Sequence, residues 1–435
     1  MKMESGKRGN RRWNTVVFGM ILWLVVSGCE PKYEAPVPTT AWATFDSPKA
    51  VPLNGVSRTF MEGVYTVTDG ANQFGEQVAL KWSYVTSITD TTYYLSVFCA
   101  KDVGYFVCAG KKFNNSLIFN GYWRKVINAE TGIARFTIND QHGATQLLGA
   151  SPQIGKGDIV LEGTWGNGDV VPTNSVVLSY VRPLYKNKPF EIVGQRSGGR
   201  SSDHLPVAEN SIRMIRYASR LGSTGIEMNV RLTSDGIPVL YHDNALNLSL
   251  IQKDGLVGSI EDYSYQQINT FVRLIDGESI PTLNDALNAV VYSTDIRFVV
   301  IDTQYIGTLE AVRQLQKEYL QKALDIGRDI QIVIGLPSED KVNAFLALPD
   351  YTSAPALCEL SLEDVHRTQA AVWSPRWTLG TQNAEVAQIQ SEGRKAFVWT
   401  VDDPRYVDQF VNQSNFDGIL SNYPSVVAYY HYVKQ

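Results

Sequence analysis

The sequence has no excess of positive charge. Its 39 lysine and arginine residues are outnumbered by 44 aspartate and glutamate residues, which gives a formal net charge of −5 over 435 residues. No long basic block follows the first twelve residues. Because nucleic-acid binding depends on clustered positive charge, we exclude a nucleic-acid partner. The composition also excludes a disordered chain, since 44% of the residues are hydrophobic, and a chain of this length can bury cores for two or three domains.

The apolar run nearest the N-terminus is too short to cross a bilayer comfortably. It extends from Thr15 to Val26 and follows five basic residues among the first twelve, whereas a spanning helix needs about 20 apolar residues. A basic segment followed by a short apolar one is typical of a signal peptide, which is removed from the mature protein. We therefore predict that residues 1–28 take no part in the mature fold.

The end of this run carries a second signal. The segment Leu24-Val-Val-Ser-Gly-Cys29 resembles a bacterial lipobox, in which lipid is attached to the cysteine and the chain is cut just before it. The resemblance implies that Cys29 anchors the protein to a membrane of the bacterial cell envelope, at the outer membrane or the cell surface. The alternative is an ordinary secretory peptide with an incidental cysteine. Residues 29–40 contain three prolines and predict an extended tether.

Cysteine is scarce, with four residues in the whole chain. Cys99 and Cys108 flank a turn at residues 101–104, so a hairpin could set them opposite one another as a disulfide in an oxidising compartment. Two buried free thiols are an equally good interpretation. Cys358 lies in an apolar run and is most simply a core residue.

Residues 41–185 consist of short β-rich runs separated by Gly, Asn and Asp, with no competing segment of helical periodicity. Examples are GVYTV, QVALKWSYV, SLIFNGYW, GIARFTI and SVVLSYV. This pattern predicts an all-β domain, a sandwich or a closed barrel of about eight or nine strands. Its many tyrosines and tryptophans could line a ligand cavity or fill a core, and the pattern does not identify a ligand or partner.

The region from Phe190 to Asp243 alternates strand-like and helix-like segments. A short apolar run ends in a Gly-rich loop, a segment with apolar residues at helical spacing follows, and then come the β-rich runs GIEMNVRL and IPVLYHD. Later runs such as RFVVIDTQ, IQIVIG, KAFVWTV and DGILSN are also separated by helix-like spacers. For residues 186–435 this predicts an α/β fold, a (β/α)8 TIM barrel, with its active site at the C-terminal ends of the strands.

Five motifs at these predicted strand ends carry a family resemblance. They read Gln195-Arg196-Ser197, Glu209-Asn210-Ser211, Gly225-Ile-Glu227-Met-Asn229-Val230, His242-Asp243 and Asp302-Thr-Gln304. In order and spacing they resemble the glycerophosphodiester phosphodiesterases, whose pattern is HRG, EN(S/T), G-x-E-x-D-V, HD and an acid-x-Lys. The resemblance covers roughly residue 190 to the C-terminus. It implies a barrel that hydrolyses a small glycerophosphodiester to an alcohol and glycerol phosphate.

The resemblance also implies a role for each position. A divalent cation, Ca²⁺ or Mg²⁺, would lie between the phosphate and acids at positions 227, 229 and 302, since carboxylate oxygens are hard ligands. Two histidines, at positions 195 and 242, would exchange protons with the attacking and leaving oxygens. Arg196 would bind the phosphate. The residues expected to support the site are Glu209, Asp243 and Trp399.

The sequence departs from the family pattern at three of these positions. Gln195, Asn229 and Gln304 stand where the family has His, Asp and Lys. An amide cannot act as general acid or base near neutral pH. Asn229 can offer a cation only a neutral carbonyl oxygen, so with Glu227 and Asp302 we expect weak cation binding. Gln304 lacks the positive charge that would stabilise the transition state.

Two functions therefore remain open. The first is a lipoprotein phosphodiesterase of low activity that uses His242 as its surviving acid and base. The second is a non-catalytic binding protein, a pseudoenzyme that uses the same pocket for a phosphodiester, with the β domain as a partner or glycan module. The intact Glu227 and Asp302 favour the first function, while Gln195 favours the second. His204, in the loop that follows Gln195, is a further candidate for the missing proton donor.

Overall fold

The computed structural model describes residues 35–126, 129–252, 256–304 and 306–435. The predicted signal peptide and Cys29 lie outside these ranges. Residues 35–40, the described part of the predicted tether, have no regular secondary structure. Within the described ranges, no helix combines the length and the apolar character needed to cross a membrane.

The first sheet of the described chain contains nine antiparallel strands. They are β1 (Val51–Pro52), β2 (Gly63–Asp69), β3 (Gln77–Thr86), β4 (Thr91–Cys99), β5 (Gly104–Phe113), β6 (Ser116–Lys125), β7 (Thr131–Ile138), β8 (Val160–Trp165) and β9 (Asn174–Arg182). Each strand from β2 to β8 pairs with the next one along the chain, and β9 pairs back with β2. These pairings form a closed ring, and β1 extends it at one end of β5.

Three short helices interrupt this region, where the sequence predicts none. They are α1 (Gly55–Met61), α2 (Ala71–Phe74) and α3 (Ala144–Leu147). The prediction is wrong here because segments of four to seven residues are too short to show a helical period. Local capping starts the first of them, since the side chain of Asn54 accepts a hydrogen bond from the backbone N–H of Ser57 at 2.7 Å.

Aromatic side chains fill the interior of the antiparallel sheet. Phe106, Phe119, Trp123 and Phe136 are all at most 2% exposed and belong to one apolar cluster. The rings of Phe106 and Phe136 pack with centroids 5.6 Å apart. Of the two uses that the sequence left open for these residues, the described structure places these four in a core.

The other face of the antiparallel sheet packs against the second half of the chain. Tyr105 and Tyr122 hydrogen-bond to the hydroxyl of Tyr217, and the hydroxyl of Ser96 donates to the carbonyl of Arg220 at 2.8 Å. Their apolar neighbours form one continuous cluster with residues of the second sheet and its helices. The described residues from 35 to 435 accordingly belong to one compact unit.

The second sheet of the described chain also has nine strands. They are β10 (Glu191–Gly194), β11 (Gly225–Leu232), β12 (Pro238–Leu240), β13 (Phe298–Asp302), β14 (Gln331–Leu336), β15 (Ala356–Cys358), β16 (Val372–Trp373), β17 (Lys395–Val398) and β18 (Gly418–Ser421). Apart from β12, which is antiparallel to β11, the strands are parallel, and β10 pairs with both β11 and β18. The eight parallel strands close into a ring, and the predicted TIM barrel is confirmed.

Helices follow most of the barrel strands. They are α4 (Ile212–Tyr217), α5 (Tyr265–Phe271), α6 (Leu283–Ser293), α7 (Glu310–Asp325), α8 (Glu339–Leu346), α9 (Leu362–Thr368), α10 (Asn383–Ser391), α11 (Pro404–Gln413) and α12 (Pro424–Val433). Side-chain caps begin several of them: Ser211 accepts from the N–H of Met214, and Thr282 forms a capping box with Asp285. A 3-10 turn at Ala218–Leu221 continues α4 and ends at Gly222 (φ 92°), where glycine allows the left-handed backbone that commonly ends a helix.

The barrel strands are buried on both faces, as parallel strands covered by helices usually are. One set of side chains, including Phe298, Val333 and Phe397, fills the barrel interior. The alternate set, including Ile226 and Ile332, packs outward into the larger core. At the C-terminal ends of the strands, beyond these apolar layers, polar side chains line a cavity.

The cysteines are free thiols in the described structure. The β4–β5 register pairs Cys108 with Leu95, so the expectation that a hairpin could set Cys99 opposite Cys108 is wrong. Both residues, like Cys358, are buried. Burial raises the pKa of each of the three thiols, which disfavours the reactive thiolate.

Candidate active site

The C-terminal ends of the barrel strands surround a cavity of about 290 Å³. It is lined by Gln195, Glu227, Asn229, His242, Asp302, Gln304, Pro337, Ser338, Glu359, Arg376, Trp399 and Thr400. Seven of these residues are predicted from the sequence as site residues. The other three predicted residues, Arg196, Glu209 and Asp243, are not among the lining residues. Arg196 and Asp243 hydrogen-bond to the lining residues Glu227 and His242, and Glu209 pairs with Arg196.

Glu227 and Asp302 lie on neighbouring parallel strands, where the β11–β13 register sets Asn229 beside Asp302. The side-chain nitrogen of Asn229 lies between the two carboxylates: Nδ2 is 2.8 Å from Oε1 of Glu227 and 2.9 Å from Oδ2 of Asp302. The carbonyl oxygen Oδ1 of Asn229 accepts instead from the side chain of Asn210 at 2.9 Å. The sequence predicts that Asn229 offers this oxygen to a cation, but in the structure the oxygen faces Asn210 instead.

The remaining carboxylate oxygens also have donors from the protein. Oε2 of Glu227 accepts from the backbone N–H of Arg196 at 2.9 Å, and Oδ1 of Asp302 accepts from the N–H of Gln304 at 3.0 Å. Burial and the negative charge of Asp302 raise the pKa of Glu227. Burial also raises the pKa of Asp302. The pair therefore ionises less readily than free carboxylates do.

The loop after β10 brings the backbone of Arg196 and Ser197 against Glu227, to which both residues donate an N–H. Both residues have left-handed backbone angles, with φ of 53° and 68°, and Gly198 follows with φ 144°. A side chain at Gly198 would approach the Cβ of Ala218 to 2.9 Å, so only glycine allows the loop to pack this closely on α4. The turn directs the backbone N–H of Arg196 at Glu227.

The guanidinium of Arg196 forms an ion pair with Glu209. Nη1 of Arg196 lies 2.9 Å from Oε1 of Glu209, whose other oxygen accepts from the N–H of Ser201 at 2.8 Å. Glu209 is only 3% exposed, so this pair is held inside the structure. The residue predicted to bind phosphate thus has a carboxylate partner and lies outside the cavity lining.

Gln195 replaces a histidine of the family pattern, and its amide is part of the cavity wall. Nε2 of Gln195 donates to Oγ1 of Thr400, the residue that follows β17 by two positions, at 2.6 Å. The backbone N–H of Gln195 donates to Ser421 at the end of β18. His204, the alternative proton donor, is exposed and ends a 3-10 turn at Ser201–Asp203, and it does not line the cavity.

His242 is oriented by the neighbouring acid. Its Nδ1 lies 2.6 Å from Oδ1 of Asp243, and the other oxygen of Asp243 accepts from Asn247 at 2.7 Å. Burial of Asp243 opposes its ionisation, but the hydrogen bonds from His242 and Asn247 outweigh that effect and lower the pKa of Asp243. An ionised carboxylate at Nδ1 favours the tautomer in which Nε2 can accept a proton.

Four polar residues of the lining were missed from the sequence. They are Ser338, Glu359, Arg376 and Thr400. Burial, with the charges of Asp302 and Glu227, raises the pKa of Glu359 to about 8. The guanidinium of Arg376 lies over the ring of Trp399 at 4.9 Å from its centroid. Each of the four follows a barrel strand within three residues, and that position is the signal that would have identified them.

The lining does not fit a divalent cation in the way that the resemblance implies. Among the described residues, no group of three or more His, Cys, Asp or Glu side chains is placed to hold a metal ion. The place between Glu227 and Asp302 is taken by the N–H donors of Asn229 rather than by oxygen ligands. Hard cations require oxygen ligands.

Comparison with known proteins relates the barrel to one family. The family model described as "Glycerophosphoryl diester phosphodiesterase family" matches residues 199–426. "Glycerophosphodiester phosphodiesterase 1" of Homo sapiens is 33% identical over 149 residues, which are 32% of this chain and 43% of the human protein. "Probable glycerophosphodiester phosphodiesterase 2" of Mycobacterium tuberculosis is 27% identical over 237 residues, which are 52% of this chain and 84% of that protein.

The chain spans less than half the length of its human, rat and mouse relatives, at 43%, 33% and 33%. Among solved structures, a glycerophosphodiester phosphodiesterase from Parabacteroides distasonis is 21% identical with a TM-score of 0.43, covering 55% of this chain and 96% of that one. A phosphodiesterase from Oleispira antarctica, in complex with the product sn-glycerol-3-phosphate, is 19% identical with a TM-score of 0.43, covering 54% and 94%.

Proposed function

The chain belongs to the glycerophosphoryl diester phosphodiesterase family, and from that premise we propose that its barrel binds a small phosphodiester and hydrolyses it far more slowly than members with the full catalytic pattern. The observation that carries this proposal is the amide of Gln195 in the cavity wall, hydrogen-bonded to Thr400. An amide neither accepts nor releases a proton near neutral pH, so one of two proton-transfer partners is absent. Loss of one such group typically lowers the rate about 10²–10⁴-fold.

The remaining proton-transfer group is His242. Asp243 holds its Nδ1 at 2.6 Å, and the imidazole lines the cavity. With Nδ1 protonated, Nε2 of the neutral ring can take a proton from an attacking water, and Nε2 of a ring that already carries this proton can give it to a leaving alkoxide, but the same ring cannot serve both oxygens at once. We therefore propose a slow reaction in which solvent supplies the second proton transfer.

The phosphate binds, in this proposal, to Arg376 rather than to Arg196. Arg376 is the one lysine or arginine among the lining residues described, whereas the guanidinium of Arg196 is paired with Glu209. Stacking on Trp399 restricts the Arg376 side chain, so less rotamer freedom is lost when it binds an anion. The amides of Gln195 and Gln304 supply neutral donors to the remaining phosphate oxygens.

The alternative is a binding protein without hydrolysis. It is favoured by the position of the Asn229 amide between Glu227 and Asp302, which leaves no oxygen-lined cation site. Both alternatives use the same pocket and ligand class, and they differ in turnover. A pseudoenzyme retains affinity for glycerol phosphate and releases no product.

We also propose that the mature protein is a lipoprotein of the bacterial cell envelope, anchored through Cys29. The support is the lipobox-like segment that ends at Cys29. The anchored chain would hold the barrel near a membrane, where phosphodiesters released from lipids arise. The antiparallel sheet, with its aromatic interior, serves in this proposal as a scaffold or partner surface.

Hydrolysis and binding can be measured on the same preparation. The purified chain is incubated with a glycerophosphodiester, released glycerol phosphate is followed over hours, and calorimetry measures binding of glycerol 3-phosphate. Slow release that is abolished in His242→Ala, with binding retained, supports the reduced enzyme. Binding without any release supports the pseudoenzyme, and the absence of both overturns the proposal.

A further inference from the structure

We propose that the side-chain amide of Asn229 takes the place of a divalent cation, so that this pocket is complete and binds its ligand without one. The inference rests on the proposed function only for the identity of the pocket, and it requires no hydrolysis. It concerns Glu227, Asn229 and Asp302, the three positions to which the family resemblance assigns the cation.

The side-chain nitrogen of Asn229 lies where a cation bound by Glu227 and Asp302 would lie. Nδ2 of Asn229 lies 2.8 Å from one oxygen of Glu227 and 2.9 Å from one oxygen of Asp302. A calcium ion bound by the same two oxygens would lie about 2.3–2.6 Å from each. The nitrogen and such an ion would therefore occupy the same place, and the two arrangements exclude one another.

The side chain of Asn210 determines which end of the Asn229 amide faces the two acids. The backbone N–H of Asn229 donates to Oδ1 of Asn210 at 3.3 Å, and the hydroxyl of Ser197 lies 3.3 Å from the same oxygen. The other end of the Asn210 amide, Nδ2, must then face Asn229, where it donates to Oδ1 at 2.9 Å. The nitrogen of Asn229 is thereby directed at the carboxylates.

A flipped Asn229 would be strongly unfavourable. Its oxygen would face two carboxylate oxygens, and its nitrogen would face the N–H donors of Asn210. Asn210 and Asn229 are only 1% and 2% exposed, so water cannot relieve either contact. The backbone N–H of Asn210 donates to the carbonyl of Arg196 at 3.0 Å, which holds Asn210 in its left-handed conformation (φ 52°).

The carboxylate oxygens of Glu227 and Asp302 already have hydrogen-bond donors from the protein. All four oxygens of Glu227 and Asp302 accept an N–H from the protein, two from Asn229, one from the backbone of Arg196 and one from the backbone of Gln304. A cation would have to displace the amide and break two of these hydrogen bonds. With Asp at position 229, by contrast, three acids would face one another, and a cation would relieve their repulsion.

The test measures cation binding directly and needs no turnover. Calcium or magnesium chloride is titrated into the metal-free full chain by calorimetry, and thermal unfolding is recorded in EDTA and in each cation. For the wild type we expect no binding heat at millimolar cation and the same Tm in all three solutions. For Asn229→Asp we expect a lower Tm in EDTA that rises with added calcium, because a ligand of the folded state stabilises it.

The double variant Asn229→Asp with Glu227→Gln is the matched control, and the calcium-dependent rise in Tm should be lost in it. Cation binding by the wild type at submillimolar concentration, abolished by Glu227→Gln, would overturn the proposal. The wild-type titration alone decides the matter should Asn229→Asp fail to fold. Rapid hydrolysis that EDTA does not affect would refute the proposed function and leave this inference standing. Tight calcium binding with slow hydrolysis would refute this inference and leave the proposed function standing.

Discussion

The side-chain nitrogen of Gln195 lies 2.6 Å from the hydroxyl oxygen of Thr400. The two residues follow β10 and β17, strands that are separated in the barrel by β18. The hydrogen bond closes one wall of the cavity with a neutral pair at a position where the family pattern has a titrating histidine. The wall retains polarity and shape while the capacity for proton transfer at this position is absent.

Replacing Arg376 should weaken anion binding. Hydrogen bonds to a charged partner contribute about 1.5–3 kcal/mol, so Arg376→Met should raise the Kd for glycerol 3-phosphate about 10- to 100-fold. Calorimetry measures this change. Arg196→Met is the contrasting variant: it should leave the Kd nearly unchanged and lower the free energy of unfolding, because Glu209, only 3% exposed, loses its partner. A large change in Kd for Arg196→Met alone would show that Arg196, and not Arg376, binds the phosphate.

Binding of a phosphodiester should weaken at alkaline pH. The pKa of Glu359 is raised to about 8, so its side chain is mostly neutral below pH 8 and becomes a carboxylate above it. A phosphodiester carries one negative charge throughout this range, and an ionised Glu359 in the same lining repels it. The Kd measured between pH 6 and 9 should rise through about pH 8, and Glu359→Gln should reduce that dependence. An unchanged profile in Glu359→Gln would assign the effect to Glu227 or Asp302.

Acid should destabilise the fold through His431. Its imidazole stacks on Phe190, with ring centroids 4.6 Å apart. Burial is the main reason that the pKa of His431 is lowered from 6.5 to about 4. The unfolded chain therefore takes up this proton at higher pH than the folded chain does. The stability contribution is full above pH 6.5 and declines as the pH falls towards 4, by about 3 kcal/mol at most.

Urea unfolding at several pH values checks this prediction. His431→Phe keeps an aromatic ring against Phe190 and removes the titrating group, so its free energy of unfolding should fall less between pH 7 and pH 4. His366→Phe is a suitable control, because His366 lies at the surface beside Glu392. An identical acid response of wild type and His431→Phe would show that other groups cause the loss of stability.

The lipid anchor can be tested in cells. Cys29→Ser removes the proposed acceptor, so the protein should leave the membrane fraction or accumulate as an unprocessed precursor. Fractionation and mass spectrometry of the mature N-terminus measure both results. Unaltered membrane partitioning, with no lipid mass on the wild-type N-terminus, would end the lipoprotein proposal.

The sequence was sufficient to predict the barrel and much of its cavity. Parallel strands carry their site residues at one edge, so Glu227, Asn229 and Asp302 could be brought together from the sequence, whereas His242 follows the antiparallel strand β12. The hydrogen bonds of Asn229 could not be predicted. They depend on the left-handed backbone of Asn210 and on Asp302, which is 73 residues away.

Glu359 and Arg376 could not be predicted as site residues for a related reason. They follow β15 and β16, strands of three and two residues, and the apolar runs around residues 357 and 372 do not fix where strands this short end. The same limit applies to the pairing of Cys99 and Cys108, because a turn sequence does not fix which residues of two strands lie opposite one another. Register is decided by the packing of both faces of the sheet.

The hydrolysis rate of the triple variant Gln195→His, Asn229→Asp and Gln304→Lys tests the central claim most directly. Product release from a glycerophosphodiester is measured for the variant and the wild type, with calcium or magnesium added, after calorimetry has shown that both bind glycerol 3-phosphate. We predict that the variant is faster by at least about 10²-fold, and that Gln195→His alone recovers only part of this gain. Rapid turnover by the wild type, lost in His242→Ala and not increased in the triple variant, would contradict the account.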